Sequence, residues 1–285
     1  MAVYKRGYEP YAGTLTPQWS RFLLIARSSC RHVFDSKFMI TFFVVAFIYP
    51  VVMAILLYLP HNAGAAALLQ GRRILQPDGL AFLRFLSWQG TLAFMLTGFL
   101  GPGLVAPDLA NNALPLYFSR PFSRAEYVLG KMAVLAILIS AITWAPGLLL
   151  FGFAAYLEGG AWLAANLWMV PALLAASWIW IVALCLLAMA TSAWVRWRVA
   201  AGALIFGLFF VVAGFGEAIN HNLHTRAGNL VNIAAIIGTI WHWLFGVPPD
   251  TGLSPGAALL ALAAGCGACY WLLARKLRAY HVERA

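Results

Sequence analysis

An all-α, polytopic membrane fold is predicted for this chain on three observations. Its residues are 63% hydrophobic and 10% charged, whereas charged residues make up about a quarter of an ordinary globular domain. Several apolar runs reach the roughly 20 residues that carry a helix across a bilayer. The basic residues gather in alternate loops, the pattern that sets orientation in a membrane. The expectation is a single membrane domain over 1–285, with six spans, an N-terminal interfacial helix and an outer re-entrant stretch. Neither an internal repeat nor a low-complexity linker interrupts it.

Residues 1–15 are polar and aromatic and read as irregular. Thr16-Pro17 is a helix start, a capping hydroxyl followed by proline in the first turn. The helix to Phe34 is amphipathic. At about 100° per residue, Phe22, Leu23, Ala26, Cys30, Val33 and Phe34 share one face, with Arg21, Arg27, Ser28, Arg31 and His32 opposite. Residues 16–34 are therefore read as an elbow helix lying on the inner membrane surface.

The first span is predicted at 38–59, loosened at Pro50. It starts far from the N-terminus and is too long for the core of a cleaved signal. An external loop at 61–84 leads to the second span, 85–107, whose end is made deformable by Gly98, Gly101, Pro102 and Gly103. The third span, 132–157, the tryptophan-rich fourth, 167–195, and the fifth, 199–216, follow, and the last is 256–274.

Residues 230–247 are apolar enough to cross. If they crossed, the tail with Arg275, Lys276, Arg278 and Arg284 would face outward, against the orientation that every other loop obeys. Residues 217–255 are therefore read as extracytoplasmic, with 230–247 re-entrant or on the surface and Asn229, Asn232, Thr239 and His242 incompletely buried. On the last span Ala261, Gly265 and Cys269 stand four apart, a stripe suited to close helix packing. The pair Cys266 and Cys269 has redox-motif spacing without a thioredoxin-like context.

The net charge is +10. Lys5, Arg6, Arg21, Arg27, Arg31 and Lys37, then Arg120, Arg124 and Lys131, then Arg196 and Arg198, and finally the basic tail fall on one side. Arg72, Arg73, Arg84 and Arg226 fall on the other. This asymmetry puts both termini in the cytoplasm of a cell whose inner membrane holds the chain. It accounts for the basic balance with no nucleic-acid partner.

Residues 102–131 are the long cytoplasmic stretch in which proline, charge and helix-start signals interrupt the apolar chain. Asp108 closes one run and Lys131 opens the next. The two either form an ion pair that holds the hairpin, or Asp108 caps a short helix over 108–118 containing Pro115. Tyr117, Phe118 and Phe122 are aromatic groups flanked by charge and are candidate anchors at a protein interface. Arg120 and Arg124 are candidate partners for acidic groups. Ser123-x-x-Glu126 is a capping box that starts a helix running into the third span.

This stretch resembles the permease subunits of type 2 ATP-binding-cassette exporters. The resemblance is carried by Asp108, then Leu116, Tyr117, Phe118, Ser119, Arg120, Pro121, Phe122, Ser123 and Arg124, then Tyr127, Leu129, Gly130 and Lys131. It implies two such membrane subunits, as a homo- or heterodimer, and cytoplasmic ATPase subunits below them. The segment 108–131 would be the coupling segment seated on the ATPase. It would act through Asp108, Tyr117, Phe118, Arg120, Phe122, Ser123, Arg124, Glu126 and Lys131. ATP and magnesium would sit on the partner ATPase, with no cofactor in this chain. Gly130-Lys131 ends a string like a phosphate-binding loop. Ala125 stands where its first glycine belongs, however, and Met132 where a Ser or Thr must hold magnesium. The chain is therefore not expected to be an enzyme by itself.

Other chemistry has weaker support. Glu217, His221 and His224 fall at i, i+4 and i+7, a candidate metal set if helical, and the basis of an alternative reading as a stand-alone secondary transporter or metal-linked membrane protein. The span interiors lack the charged residues that ion pathways require. No His-Glu-x-x-His or Gly-x-Ser-x-Gly motif points to an intramembrane enzyme. Apolar, tryptophan-rich spans within surrounding membrane lipid suggest an amphipathic or lipid-like cargo.

Overall fold

A computed structural model describes residues 21–64, 74–111, 123–195, 197–249 and 251–282. The described elements are helical: α1 (Arg21–Phe34), α2 (Lys37–Tyr58), α3 (Gly79–Leu100), α4 (Pro102–Ala110), α5 (Arg124–Ile142), α6 (Trp144–Glu158), α7 (Gly160–Asn166), α8 (Met169–Trp194), α9 (Arg198–Leu223), α10 (Ile233–Leu244) and α11 (Pro255–Val282). Six helical stretches are long and apolar enough to cross a membrane: α2, α3 with α4, α5 with α6, α8, α9 and α11. The chain is an all-α, multi-pass membrane protein. Successive spans alternate in direction. One end of the bundle carries Asp108 and Lys131, and the other carries His61 and Glu158, whose side chains meet at 3.7 Å.

The second span starts earlier than expected, at Gly79. Asp78 caps it, its Oδ1 accepting from the Ala81 N–H at 2.8 Å. Arg84, read from the sequence as loop, is an exposed residue inside this helix. A single arginine near a helix end can extend its head to the interface, so it does not end a span.

Pro50 sits inside α2 and leaves the Ala46 carbonyl without its i+4 donor. The buried Gln89 of α3 supplies the missing bond, its Nε2 donating to Ala46 O at 2.9 Å. In an apolar medium an orphaned carbonyl costs several kcal/mol, so this contact both mends α2 and ties it to α3.

The third span is broken at Thr143, whose φ −104° and ψ −96° are not helical. Pro146 is the reason: it has no N–H for the Ile142 carbonyl, and its ring crowds that carbonyl. The second span bends at Gly101, where a Cβ would press on Ala188 of α8. The buried Ser192 of α8 stitches this bend. Its Oγ accepts from the Val105 and Ala106 N–H groups at 3.1 and 2.9 Å and donates to Pro102 O at 3.3 Å.

The fifth span is longer than predicted and ends at Leu223, with His224 as a left-handed cap at φ 48°. The chain then turns back. Gly228 meets Gly216 backbone to backbone, with no room for a Cβ on either. Residues 230–233 reach the depth of Leu184 in α8, Phe209 in α9 and Gly265 in α11. From there α10 returns to the end it came from, where the Phe245 carbonyl lies beside Gly79. Its 12 residues rise about 18 Å, well short of the roughly 30 Å hydrocarbon core. The stretch is thus a hairpin folded back against the bundle and too short to cross, in keeping with the re-entrant reading.

Asn229, Asn232 and His242 are partly exposed, as the sequence suggested, and Thr239 alone of the four is buried; the polar groups of the turn are paired within the protein. Asn220 accepts from Gly228 N–H at 2.8 Å and donates to Asn229 at 2.8 Å. Asn229 donates to Thr251 O at 2.8 Å, and the hydroxyls of Thr251 and Thr239 meet at 2.6 Å. Thr239 is fully buried. Irregular backbone survives at membrane depth only when it is satisfied in this way.

The small-residue stripe of α11 also differs from expectation. Nothing within the described chain packs on Gly265. Instead Ala261, Gly265 and Cys269 line an apolar cavity of about 310 Å³ below the hairpin.

Candidate functional site: the junction below the second and third spans

The site lies where α4 ends and α5 begins. Ser123 caps α5: its Oγ accepts from Glu126 N–H at 3.2 Å, and Glu126 Oε2 accepts from Ser123 N–H at 2.6 Å. The capping box read in the sequence is therefore formed. Replacing Ser123 by Ala should cost about 1 kcal/mol and raise hydrogen exchange in the first turn of α5, whereas Ser123→Asp should leave both near the parent value.

One and two turns further along α5, Tyr127 and Lys131 project toward α4. The Lys131 ammonium lies 2.9 Å from Asp108 Oδ2, with side-chain exposures of 10% and 16%. The Tyr127 hydroxyl donates to the same oxygen at 2.7 Å, and its ring is wholly buried. The ammonium also sits 5.7 Å from the centre of that ring. A buried lysine, a carboxylate and a phenol thus form one connected set. Every charge in it is paired, as burial demands.

This arrangement decides between the two roles open to Asp108. It lies within α4, which runs on to Ala110, so it does not cap a helix beginning at 108. It pairs with Lys131 instead. The fold reason is the Gly101 bend held by Ser192, which aims the last turns of the second span at α5. Tyr127 had a visible signal, since it stands four residues before Lys131 and so on the same helix face. Ser192 had none, because its partners are 86 to 90 residues away.

Glu126 and Lys131 are thus placed, with Ser123. The predicted Tyr117, Phe118, Arg120 and Phe122 lie outside the described residues, and the side chain of Arg124 does as well. Gly130 and Lys131 sit inside continuous helix, where backbone N–H groups are already used and cannot cradle a phosphate.

The elbow helix α1 packs along α5. Ala26 is buried and Cys30 half-buried on that face, while Arg27 and Arg31 point outward. Burial pushes the Cys30 thiol above its ordinary pKa.

At the opposite end, Glu217 and His221 are exposed one turn apart on α9, and His224 leaves the helix through its left-handed backbone. The expected common face is lost at the third residue. Among the described residues no three His, Cys, Asp or Glu side chains gather to hold a metal ion.

No family model and no curated protein matches the chain.

Proposed function

We propose that this chain is the membrane-spanning permease subunit of an ATP-driven exporter of the type 2 ATP-binding-cassette class. The observation that supports this most is the Asp108–Tyr127–Lys131 set. It locks the second span to the third where α4 ends and α5 begins, so a push on the segment that joins them in sequence reaches both spans together. A simple connecting loop has no need of such a joint. A segment that receives force from a soluble partner does.

In this reading a separate ATPase subunit binds ATP and magnesium, and a second permease subunit completes the pathway. The cargo is an amphipathic or lipid-like molecule, in keeping with the apolar span interiors. The Asp108 end faces the cytoplasm of a cell whose inner membrane holds the protein. Arg27, Arg31, Lys37, Lys131, Arg198, Arg275 and Lys276 cluster there, against Arg84 and Arg226 at the other end.

The test is a purification from native membranes in mild detergent, with mass spectrometry of the soluble proteins that accompany the chain. A stoichiometric ATPase is expected. Phe122→Ala combined with Arg124→Glu should leave expression and insertion intact but abolish stimulated ATP hydrolysis in the reconstituted complex. Unchanged hydrolysis would refute the role of the segment, and the absence of any ATPase would refute the class.

A further inference from the structure

A groove of about 940 Å³ opens at the Asp108 end, between α1, α2, the α3–α4 bend, α5 and the start of α9. Its depth is apolar. The Phe99 ring meets Phe38 on one side at 5.2 Å and Phe206 on the other at 5.8 Å. Met39, Leu104 and Leu135 complete the walls. Its mouth is polar and carries unequal charge. Lys131 faces it but is already neutralised by Asp108. Arg198, the first residue of α9, also faces it, is exposed, and makes no ion pair among the described residues. The guanidinium lies over Gly103, where a Cβ would stand in ordinary contact with it, 3.5 Å from its Nε and 3.7 Å from its Cζ. The Ser36 hydroxyl borders the same mouth.

We propose that this groove binds one anionic lipid from the leaflet at the Asp108 end. Arg198 takes the phosphate, and an acyl chain lies among Phe38, Phe99 and Phe206. The charge argument commits the site to this occupant. Among the residues that line the groove, Arg198 is the one positive charge left after the Asp108–Lys131 pair is discounted, which matches a single phosphodiester. Arginine donates two parallel hydrogen bonds to a phosphate in a geometry that lysine lacks. A zwitterionic lipid brings its own cation, which Arg198 would repel. Basic pockets between spans at headgroup level suit anionic lipids for this reason. The apolar depth would otherwise be wetted, and a volume of this size is in the range of pockets that hold whole organic ligands. The proposal does not depend on ATP-driven transport.

The experiment is native mass spectrometry of the full chain, delipidated in detergent and titrated with phosphatidylglycerol or phosphatidylcholine of the same chains. It is joined to photolabelling in nanodiscs with an acyl-diazirine phosphatidylglycerol. The expected result is about tenfold tighter binding of phosphatidylglycerol, the worth of one charge-assisted contact, with label on the first turns of α2 and α9. Arg198→Gln should erase the preference and Arg198→Lys should keep part of it. Ala203→Trp, which fills the groove from α9 with the charge intact, should weaken both lipids. Equal binding of the two lipids, a preference that survives Arg198→Gln, or label spread over other helix faces would each overturn the proposal. Displacement of the lipid by millimolar inorganic phosphate would assign the mouth to a free anion and overturn it as well.

Discussion

Asp108→Asn should destabilise the protein by about 3–5 kcal/mol, the loss seen when one partner of a buried ion pair is removed. The cost falls on Lys131, which would keep its charge at 10% side-chain exposure with no carboxylate beside it. Three comparisons separate this from a general loss of packing. Tyr127→Phe keeps the ion pair and removes only the 2.7 Å hydrogen bond, so it should cost about 1 kcal/mol. Lys131→Met should be milder than Asp108→Asn, because it leaves a carboxylate that still accepts from Tyr127. Asp108→Leu with Lys131→Met removes both charges and should recover most of the loss, since apolar replacements of a buried pair are often neutral. Thermal or denaturant unfolding of the purified chain in one detergent reads all four. If Asp108→Asn and the double variant are equally unstable, the pairing does not account for the effect.

The second large effect is expected at Trp241. Its indole N–H donates to Ala176 O of α8 at 3.0 Å, and its ring meets Trp180 edge-on at 6.2 Å and 85°. Trp180 in turn donates to Gly90 O of α3 at 3.0 Å. A Cβ at Gly90 would run into the Trp241 ring, so glycine here is a matter of space. The two tryptophans and this glycine pin the hairpin to α3 and α8. Trp241→Ala should cost about 3–5 kcal/mol, the range for a large aromatic removed from a core. It should also raise hydrogen exchange across 217–255 before the rest of the bundle opens. Gly90→Leu should do the same from the opposite partner. Trp243, two residues away and 54% exposed, is the control, and its replacement by Ala should leave unfolding nearly unchanged. Equal effects at Trp241 and Trp243 would show that the hairpin is held elsewhere.

If the proposed function holds, these two nodes lie at different depths of the same moving parts. The Asp108 set joins the second and third spans where force would enter. The Trp241 set joins the second and fourth spans part-way along their length. Loss of the first should impair coupling even in molecules that remain folded, whereas loss of the second should act mainly through stability.

Much of this protein was legible from the residues in order. Apolar run length gave the six spans, because crossing a bilayer demands about 20 apolar residues whatever their neighbours. The capping box at Ser123 was local chemistry within four residues, and the Asp108–Lys131 pair was one of two roles already open. That 230–247 does not cross was expected from the side on which the basic pattern puts the tail arginines. What the order of residues left open was settled by contacts across the bundle. Gln89 mends α2 only because α3 brings it to Ala46. Ser192 shapes the Gly101 bend from another span. Thr239 is buried where Thr251 reaches it, and among the described residues Arg198 has no ionic partner while Lys131 holds Asp108. A hydrogen bond over four residues is set by helix geometry, but one over ninety is set by packing. For this reason the spans could be read in advance, and the joints between them could not.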